Sequence, residues 1–364
     1  MSLPNELTIG FVRRGFSSGG AEAYLKRLGA GVAAAGHAAI LFTAADWPAS
    51  EWNFGRVIRL EESSAIGFAD GLEKLASDHC DVLLSLERVW RCDVYRAGDG
   101  VHRAWLERRN EIAGPLQKLS RFLNRKHSAA LELEEALLKN RGAGRVIANS
   151  QMVRDEIIRF YGYPAARIDV VYNGLPLEPF QRNEQDRSTV RRRLGLTDKE
   201  IVVLFAGSGW ERKGLRFAIA AVEQNRGTKL IVAGRGEPRK FSSSRAQFLG
   251  IVPDMPSVYR AADIFLLPTI YDPFSNACLE ALAAGLPIIT TKANGFSEII
   301  ETGRHGTVIE GPRNVGAIGA ALEFWSDPAR RVQARPDILA LAAQFDISRN
   351  VSETLRILDV AAAK

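Results

Sequence analysis

Twice along this chain, short apolar runs alternate with stretches of helical periodicity. Such strands can bury both faces only in a parallel sheet covered by helices. In the first series Leu7–Arg13, Ala39–Thr43, Val57–Leu60, Val82–Leu86, Val94–Ala97 and Val146–Asn149 read as strands. Gly15–Gly20 is a glycine turn, and Ala21–Ala35 has helical spacing, with Tyr24, Leu25, Leu28 and Val32 on one side and Gly36 ending it. In the second series Ile201–Ala206, Lys229–Ala233, Ile264–Pro268 and Pro287–Thr291 read as strands, with helices over Gly214–Gln224, Ser257–Ala261 and Ser275–Ala284. Pro176, Pro179 and the polar run Arg182–Arg193 separate the two and read as a crossing loop. The expected fold class is α/β, with two Rossmann-like doubly wound domains and ligands at the carboxyl ends of the strands. The expected boundaries are 1–174 and 175–340, with a terminal helix over 341–364 crossing back to the first domain.

The 364 residues are enough for two cores. No apolar run approaches the ~18 residues of a membrane span, and no basic start precedes an apolar stretch at the N-terminus, so no secretory signal is expected. Cys80, Cys92 and Cys278 share no metal or redox spacing. They read as packing thiols in a reducing, cytoplasmic setting.

The chemistry concentrates in two stretches. Ala206-Gly-Ser-Gly-Trp-Glu-Arg-Lys-Gly214 reads as a strand end running into a glycine turn that releases Arg212 and Lys213. Asp272-Pro-Phe-Ser-Asn-Ala-Cys-Leu-Glu280 places a carboxylate on a loop, then a helix start at Ser275, then a second carboxylate about one and a half turns in. Two cations facing a helix N-terminus can hold a diphosphate without metal. Glu280 would take the ribose hydroxyls, while Asp272, Phe274, Ser275 and Asn276 would meet the transferred sugar. The plainer reading is that Asp272 and Ser275 merely start the helix and Glu280 is a surface charge. No Asp-x-Asp is present, so no metal site is expected, and Arg212 and Lys213 would neutralise the leaving group.

In the first half, Gly19 and Gly20 precede a helix and could present amides to a phosphate, or simply make a turn. Glu22 reads as a helix-start acid and His37 as a structural residue at a helix end. Asp99 and His102 follow a strand, where a histidine can exchange a proton near neutral pH or simply face solvent.

Residues 140–310 resemble the retaining GT-B glycosyltransferases of family 4. In these, two glutamates separated by seven residues precede a Gly-Leu-Pro-Val type strand. Here the text runs from Asp272 through Glu280 to Gly285-Leu-Pro-Ile-Ile. Arg212-Lys213-Gly214, the Val171–Gly174 entry and Val232-Ala-Gly-Arg-Gly236 fit the same pattern, and the members that glucosylate the lipopolysaccharide core add Gly209–Gly214 and Glu237-Pro-Arg-Lys-Phe241. The resemblance implies two facing domains around a deep cleft, retention at the anomeric carbon, and UDP-glucose as a substrate rather than a cofactor. It places Gly19 and Gly20 over the donor phosphate and His102, with Asp99, at the reacting sugar as catalytic residues beside Asp272. Where the family has its first glutamate this chain has Asp272, whose carboxylate reaches about 1.5 Å less far.

Between Arg103 and Lys126 lie Arg103, Arg108, Arg109, Lys118, Arg121, Arg125 and Lys126 against Glu107 and Glu111, nearly all of the chain's net +6. Leu116, Leu119 and Leu123 repeat at helical spacing beside those cations. A basic amphipathic helix of this kind suits an anionic membrane surface; an ordinary helix with its leucines in the core is the other reading. Nucleic acid is not expected, since no recognition module is present. The combined expectation is a hexosyltransferase acting on a lipid-linked glycan acceptor, peripheral at the inner face of the cytoplasmic membrane. The alternatives are a non-catalytic nucleotide-sugar or membrane-surface protein, or an epimerase or glycan synthase on the same scaffold.

Overall fold

A strand buried on both faces must be apolar along its whole length. Ile201–Ala206 and Ile264–Leu267 satisfy this, the latter wholly buried. The computed structural model describes residues 6–16, 20–62, 64–75, 79–112, 125–181, 183–241 and 243–363. It divides into a first unit, Met1–Gly174 with Ile347–Lys364, and a second, Leu175–Asp346.

The first unit's sheet contains β1 (Thr8–Val12), β2 (Ala38–Ala44), β3 (Gly55–Leu60), β4 (Val82–Ser85), β5 (Cys92–Ala97), β6 (Ala143–Ala148) and β7 (Ile168–Val170). The order is β3-β2-β1-β4-β5-β6-β7, all parallel. The second unit's sheet contains β8 (Ile201–Ala206), β9 (Thr228–Ala233), β10 (Ala246–Gly250), β11 (Ile264–Leu267), β12 (Ile288–Thr291) and β13 (Gly306–Ile309). Its order, β10-β9-β8-β11-β12-β13, repeats the same winding. Both units are Rossmann-like, and in each the winding reverses beside the first strand, between β1 and β4 and between β8 and β11. Ligands of doubly wound sheets lie outside the carboxyl ends of the strands at that reversal.

The Ile347–Ala362 helix belongs to the first unit. Val351, Ile357, Leu358 and Ala361 enter a core shared with Leu25, Leu28 and Val32. Each large side chain so buried contributes about 1.5–3 kcal/mol. A Cβ at Gly31 would stand 2.5 Å from Val351, so a glycine is needed where the two helices touch.

The polar run Arg182–Arg193 is a helix over Glu184–Arg193, where the sequence suggested a loop. Asn183 caps it by accepting from Asp186 N at 3.1 Å. Periodicity missed this helix because its buried face is held by charge. Arg191 is buried and donates to Asp263 and to the Ala261, Thr197 and Glu200 carbonyls.

Candidate active site

β8 ends at Ala206, and the chain then takes left-handed glycine conformations at Gly207 (φ 128°), Gly209 (φ 73°) and Gly214 (φ 81°). A Cβ at Gly214 would lie 1.9 Å from the Pro268 carbonyl oxygen, and one at Gly207 would lie 2.7 Å from Lys213 Cε. Only glycine allows this loop to fold back on the end of β11. The Arg212 carbonyl then accepts from Ile270 N at 2.8 Å and from Thr269 Oγ1 at 3.0 Å. The loops after β8 and β11 are thereby joined at the reversal point.

This junction brings Arg212, Lys213 and Asp272 together. Lys213 Nζ donates to Asp272 Oδ2 at 2.7 Å, and Arg212 Nη1 donates to the same oxygen at 3.4 Å and to the Tyr271 carbonyl at 2.7 Å. Lys213 and Asp272 are buried, while a third of the Arg212 side chain is exposed. Burial alone would raise the Asp272 carboxyl, but the Lys213 and Arg212 charges prevail and hold it below the usual carboxylate range. Asp272 is also fixed by its backbone, with its N–H on the Ala293 carbonyl at 3.0 Å and its carbonyl accepting from Gly295 N at 2.9 Å. Two cations against one carboxylate leave a net positive charge at the carboxyl ends of β8 and β11.

The Asn276–Ala283 helix starts beside Asp272. Ser275 is its cap, accepting from Cys278 N at 3.3 Å. Asn294 braces the turn, accepting from Ser275 N at 3.4 Å and Phe296 N at 3.1 Å and donating to Thr290 Oγ1 at 3.0 Å. Nothing in the sequence patterning singled out Asn294. Asn276, Ala277 and Glu280 are all partly exposed, and their i, i+1, i+4 spacing puts the helix start and the carboxylate on one face. Glu280 also lies near the buried Tyr259 phenol, which burial first and then this carboxylate push well above its usual range. The Phe274 side chain packs on Phe296 and Phe345, with ring centroids 5.1 and 6.3 Å away, so its side chain is a core contact. Cys278 is buried as a packing thiol, and burial pushes it up to about 12.

In the first unit Gly20 begins the Gly20–Ala34 helix, while Gly19 lies outside the described residues. At the carboxyl ends of β1 and β4 the structure assembles a cluster the sequence did not announce. Arg13 bonds Glu22 at 3.1 Å, Glu87 at 3.2 Å and Asp99 at 3.2 Å. Glu22 is thus a buried ion-pair partner as well as a helix-start acid. Burial raises the Glu87 carboxyl against the pull of Arg13.

His102 opens the His102–Ile112 helix after β5. Its ring Nε2 lies 3.0 Å from His127 Nδ1. Burial first, then the Arg88 charge, lowers it to about 4 against the pull of Glu134. Glu134, wholly buried, accepts from His102 N at 2.7 Å, Arg103 N at 3.1 Å, Arg88 Nε at 2.8 Å and Tyr161 Oη at 2.6 Å. It caps this helix from the Arg125–Leu138 helix across a gap of more than thirty residues. His37 is buried, its Nδ1 accepting from Leu7 N at 3.2 Å.

Within the basic segment, Arg108 pairs with the mostly buried Glu156 at 2.7 Å. Leu116, Lys118, Leu119, Arg121 and Leu123 lie outside the described residues. Among the described residues no helix is long and apolar enough to cross a membrane.

Comparison with known proteins decides the family. The Glycosyltransferase Family 4 model matches residues 18–179, and the Glycosyl transferases group 1 model matches residues 200–326. The chain belongs to the glycosyltransferase families that these two models describe, and its fold is GT-B. An uncharacterised glycosyltransferase of Methanocaldococcus jannaschii is 29% identical over 190 residues, 48% of each chain. The chain thus spans about half the length of the curated relatives it matches first. Two of the solved structures that share its fold illustrate the likeness. WaaG, a glycosyltransferase of lipopolysaccharide biosynthesis, superposes with a TM-score of 0.80 at 21% identity, over 96% of this chain and 99% of that one. HepE of Anabaena, solved with UDP and glucose, gives 0.75 at 20% identity, over 96% and 100%.

Proposed function

We propose that this protein is a retaining hexosyltransferase. It moves glucose from UDP-glucose to a lipopolysaccharide-core or similar membrane-bound glycan acceptor, at the inner face of the cytoplasmic membrane, without metal or cofactor. The observation that carries the reading is the Arg212–Lys213–Asp272 cluster at the carboxyl ends of β8 and β11, beside the Ser275-capped helix start. Its surplus positive charge suits a diphosphate, and fixed cations stabilise the charge that develops there as the sugar leaves. Glu280 is assigned the ribose hydroxyls. Asp272 and the backbone of Phe274–Asn276 are assigned the hexose, Gly19 and Gly20 the phosphates, and His102 with Asp99 the reacting sugar.

Arg212→Ala should lower UDP-glucose turnover by about 10²–10³-fold, the usual cost of one charge-stabilising group. Its melting temperature should stay near wild type, because the Arg212 side chain is partly exposed and Lys213 still holds Asp272. Turnover within about twofold of wild type would contradict the assignment. Retention is tested by NMR of the first product formed on a core oligosaccharide, where an α linkage supports the reading and a β linkage overturns it.

The 2.7 Å bond between Asp272 and Lys213 favours one other reading, donor binding without transfer, since a carboxylate so engaged is withheld from the sugar. UDP-glucose binding with no turnover on any core acceptor would favour that reading.

A further inference from the structure

His102 and Arg109 are seven residues apart, two turns along the His102–Ile112 helix, and therefore share a face. His127, from the Arg125–Leu138 helix, stands between them. Its Nε2 lies 3.1 Å from Arg109 Nη1 and its Nδ1 lies 3.0 Å from His102 Nε2. The two imidazoles are tilted by 35° with centroids 5.1 Å apart. Arg109 also rests against Trp105, 5.8 Å from the ring centre.

The direction of this chain of bonds follows from chemistry alone. A guanidinium only donates, so His127 Nε2 must accept. A neutral His127 then carries its one proton on Nδ1 and donates it toward His102 Nε2. His102 Nε2 is therefore an acceptor, and the His102 proton sits on Nδ1. Protonating His102 at Nε2 would set two N–H groups against each other. The charges around the His102 ring act with this arrangement. Arg88, His127 and Arg109 oppose a positive ring, and Glu134, which favours one, is engaged by Arg88, Tyr161 and two helix amides.

We propose that Arg109 and His127 are positioning residues that hold the His102 ring in its neutral, Nδ1-protonated form, so that it meets the sugar as a hydrogen-bond donor and not as a proton acceptor. This rests on the assignment of His102 to the reacting sugar, and deepens it. A donor whose protonation does not change near neutral pH gives constant binding.

The test is ring nitrogen NMR on the full chain labelled at its five histidines, with His102 identified by the signal lost in His102→Ala. Wild type should show a protonated Nδ1 and an unprotonated Nε2 at His102. His127→Gln offers an acceptor toward Arg109 and a donor toward His102 in the same order, and should keep that pattern. His127→Ala should release His102 to the Nε2-protonated form that free histidine favours. UDP-glucose turnover should fall about tenfold in His127→Ala, in kcat more than KM, and stay within about twofold in His127→Gln. A protonated Nε2 at His102 in wild type, or an unchanged His102 ring in His127→Ala, would overturn the proposal. Wild-type turnover in His102→Ala would instead overturn the assignment of His102 to the sugar while leaving the ring state as measured.

Discussion

Lys213→Ala should lower turnover as far as Arg212→Ala does, and should also weaken the fold. The ammonium is the shorter of the two contacts to the buried Asp272 carboxylate, 2.7 Å against 3.4 Å for Arg212. Removing it leaves a carboxylate that burial opposes and one partly exposed guanidinium supports. Breaking a buried pair from one side costs about 3–5 kcal/mol. Losing a fixed cation at the leaving group lowers turnover about 10²–10³-fold. The pH dependence should change in a defined direction. In wild type the folded-state Asp272 is depressed, so its stabilisation is complete above the ordinary carboxylate value, near ~4, and is lost as pH falls through the lower folded value. In Lys213→Ala burial should push the same carboxyl upward, and acid unfolding should begin at a higher pH. Denaturant unfolding followed between pH 3 and 7 reads both effects. A stability loss under about 1 kcal/mol, with an unmoved acid limb, would mean that the pair is a surface contact in effect.

The second large effect is expected in the first unit. Glu134 receives four donors while wholly buried: two backbone amides at the start of the His102–Ile112 helix, the Arg88 guanidinium and the Tyr161 hydroxyl. Glu134→Ala removes all four acceptor contacts at once and leaves the Arg88 charge without its carboxylate. A loss of about 3–5 kcal/mol follows from the charge alone. Glu134→Gln keeps the shape and one acceptor oxygen, and should lose less. Urea unfolding of both variants checks this; equal, small losses would show that water or a neighbour replaces the carboxylate easily.

Much of this architecture can be read from the chain because both sheets are parallel. Their central strands are buried on both faces, so β8 and β11 appear as plain apolar runs between glycine turns. The strands that escape are short or peripheral. β7 has three residues, β10 carries Gln247 and a register shift near Gly250, and β13 is interrupted by Thr307. The Glu184–Arg193 helix escapes because Arg191 is buried through Asp263 and carbonyls instead of through apolar packing.

The same division runs through the site. Arg212, Lys213, Asp272, Ser275 and Glu280 lie on two local motifs, where glycine turns and cap chemistry reveal them. The Arg13 cluster, Glu134 and His127 depend on partners far away in sequence, such as Arg13 with Asp99 and Arg88 with Glu134. No local spacing encodes those meetings; they follow from the winding of the sheets. Phe274 is the reverse case, a motif residue whose side chain is claimed by the core.

The central claim is that Arg212 and Lys213 receive the diphosphate of a nucleotide sugar at the reversal of the second sheet. Calorimetric titration of UDP and UDP-glucose into wild type and Arg212→Ala tests it most directly. Saturable binding to wild type with affinity about 10- to 100-fold weaker in the variant is expected, matching the loss of one charge-assisted contact of about 1.5–3 kcal/mol. Equal affinity in the two proteins, or no binding of either nucleotide to wild type, would contradict it.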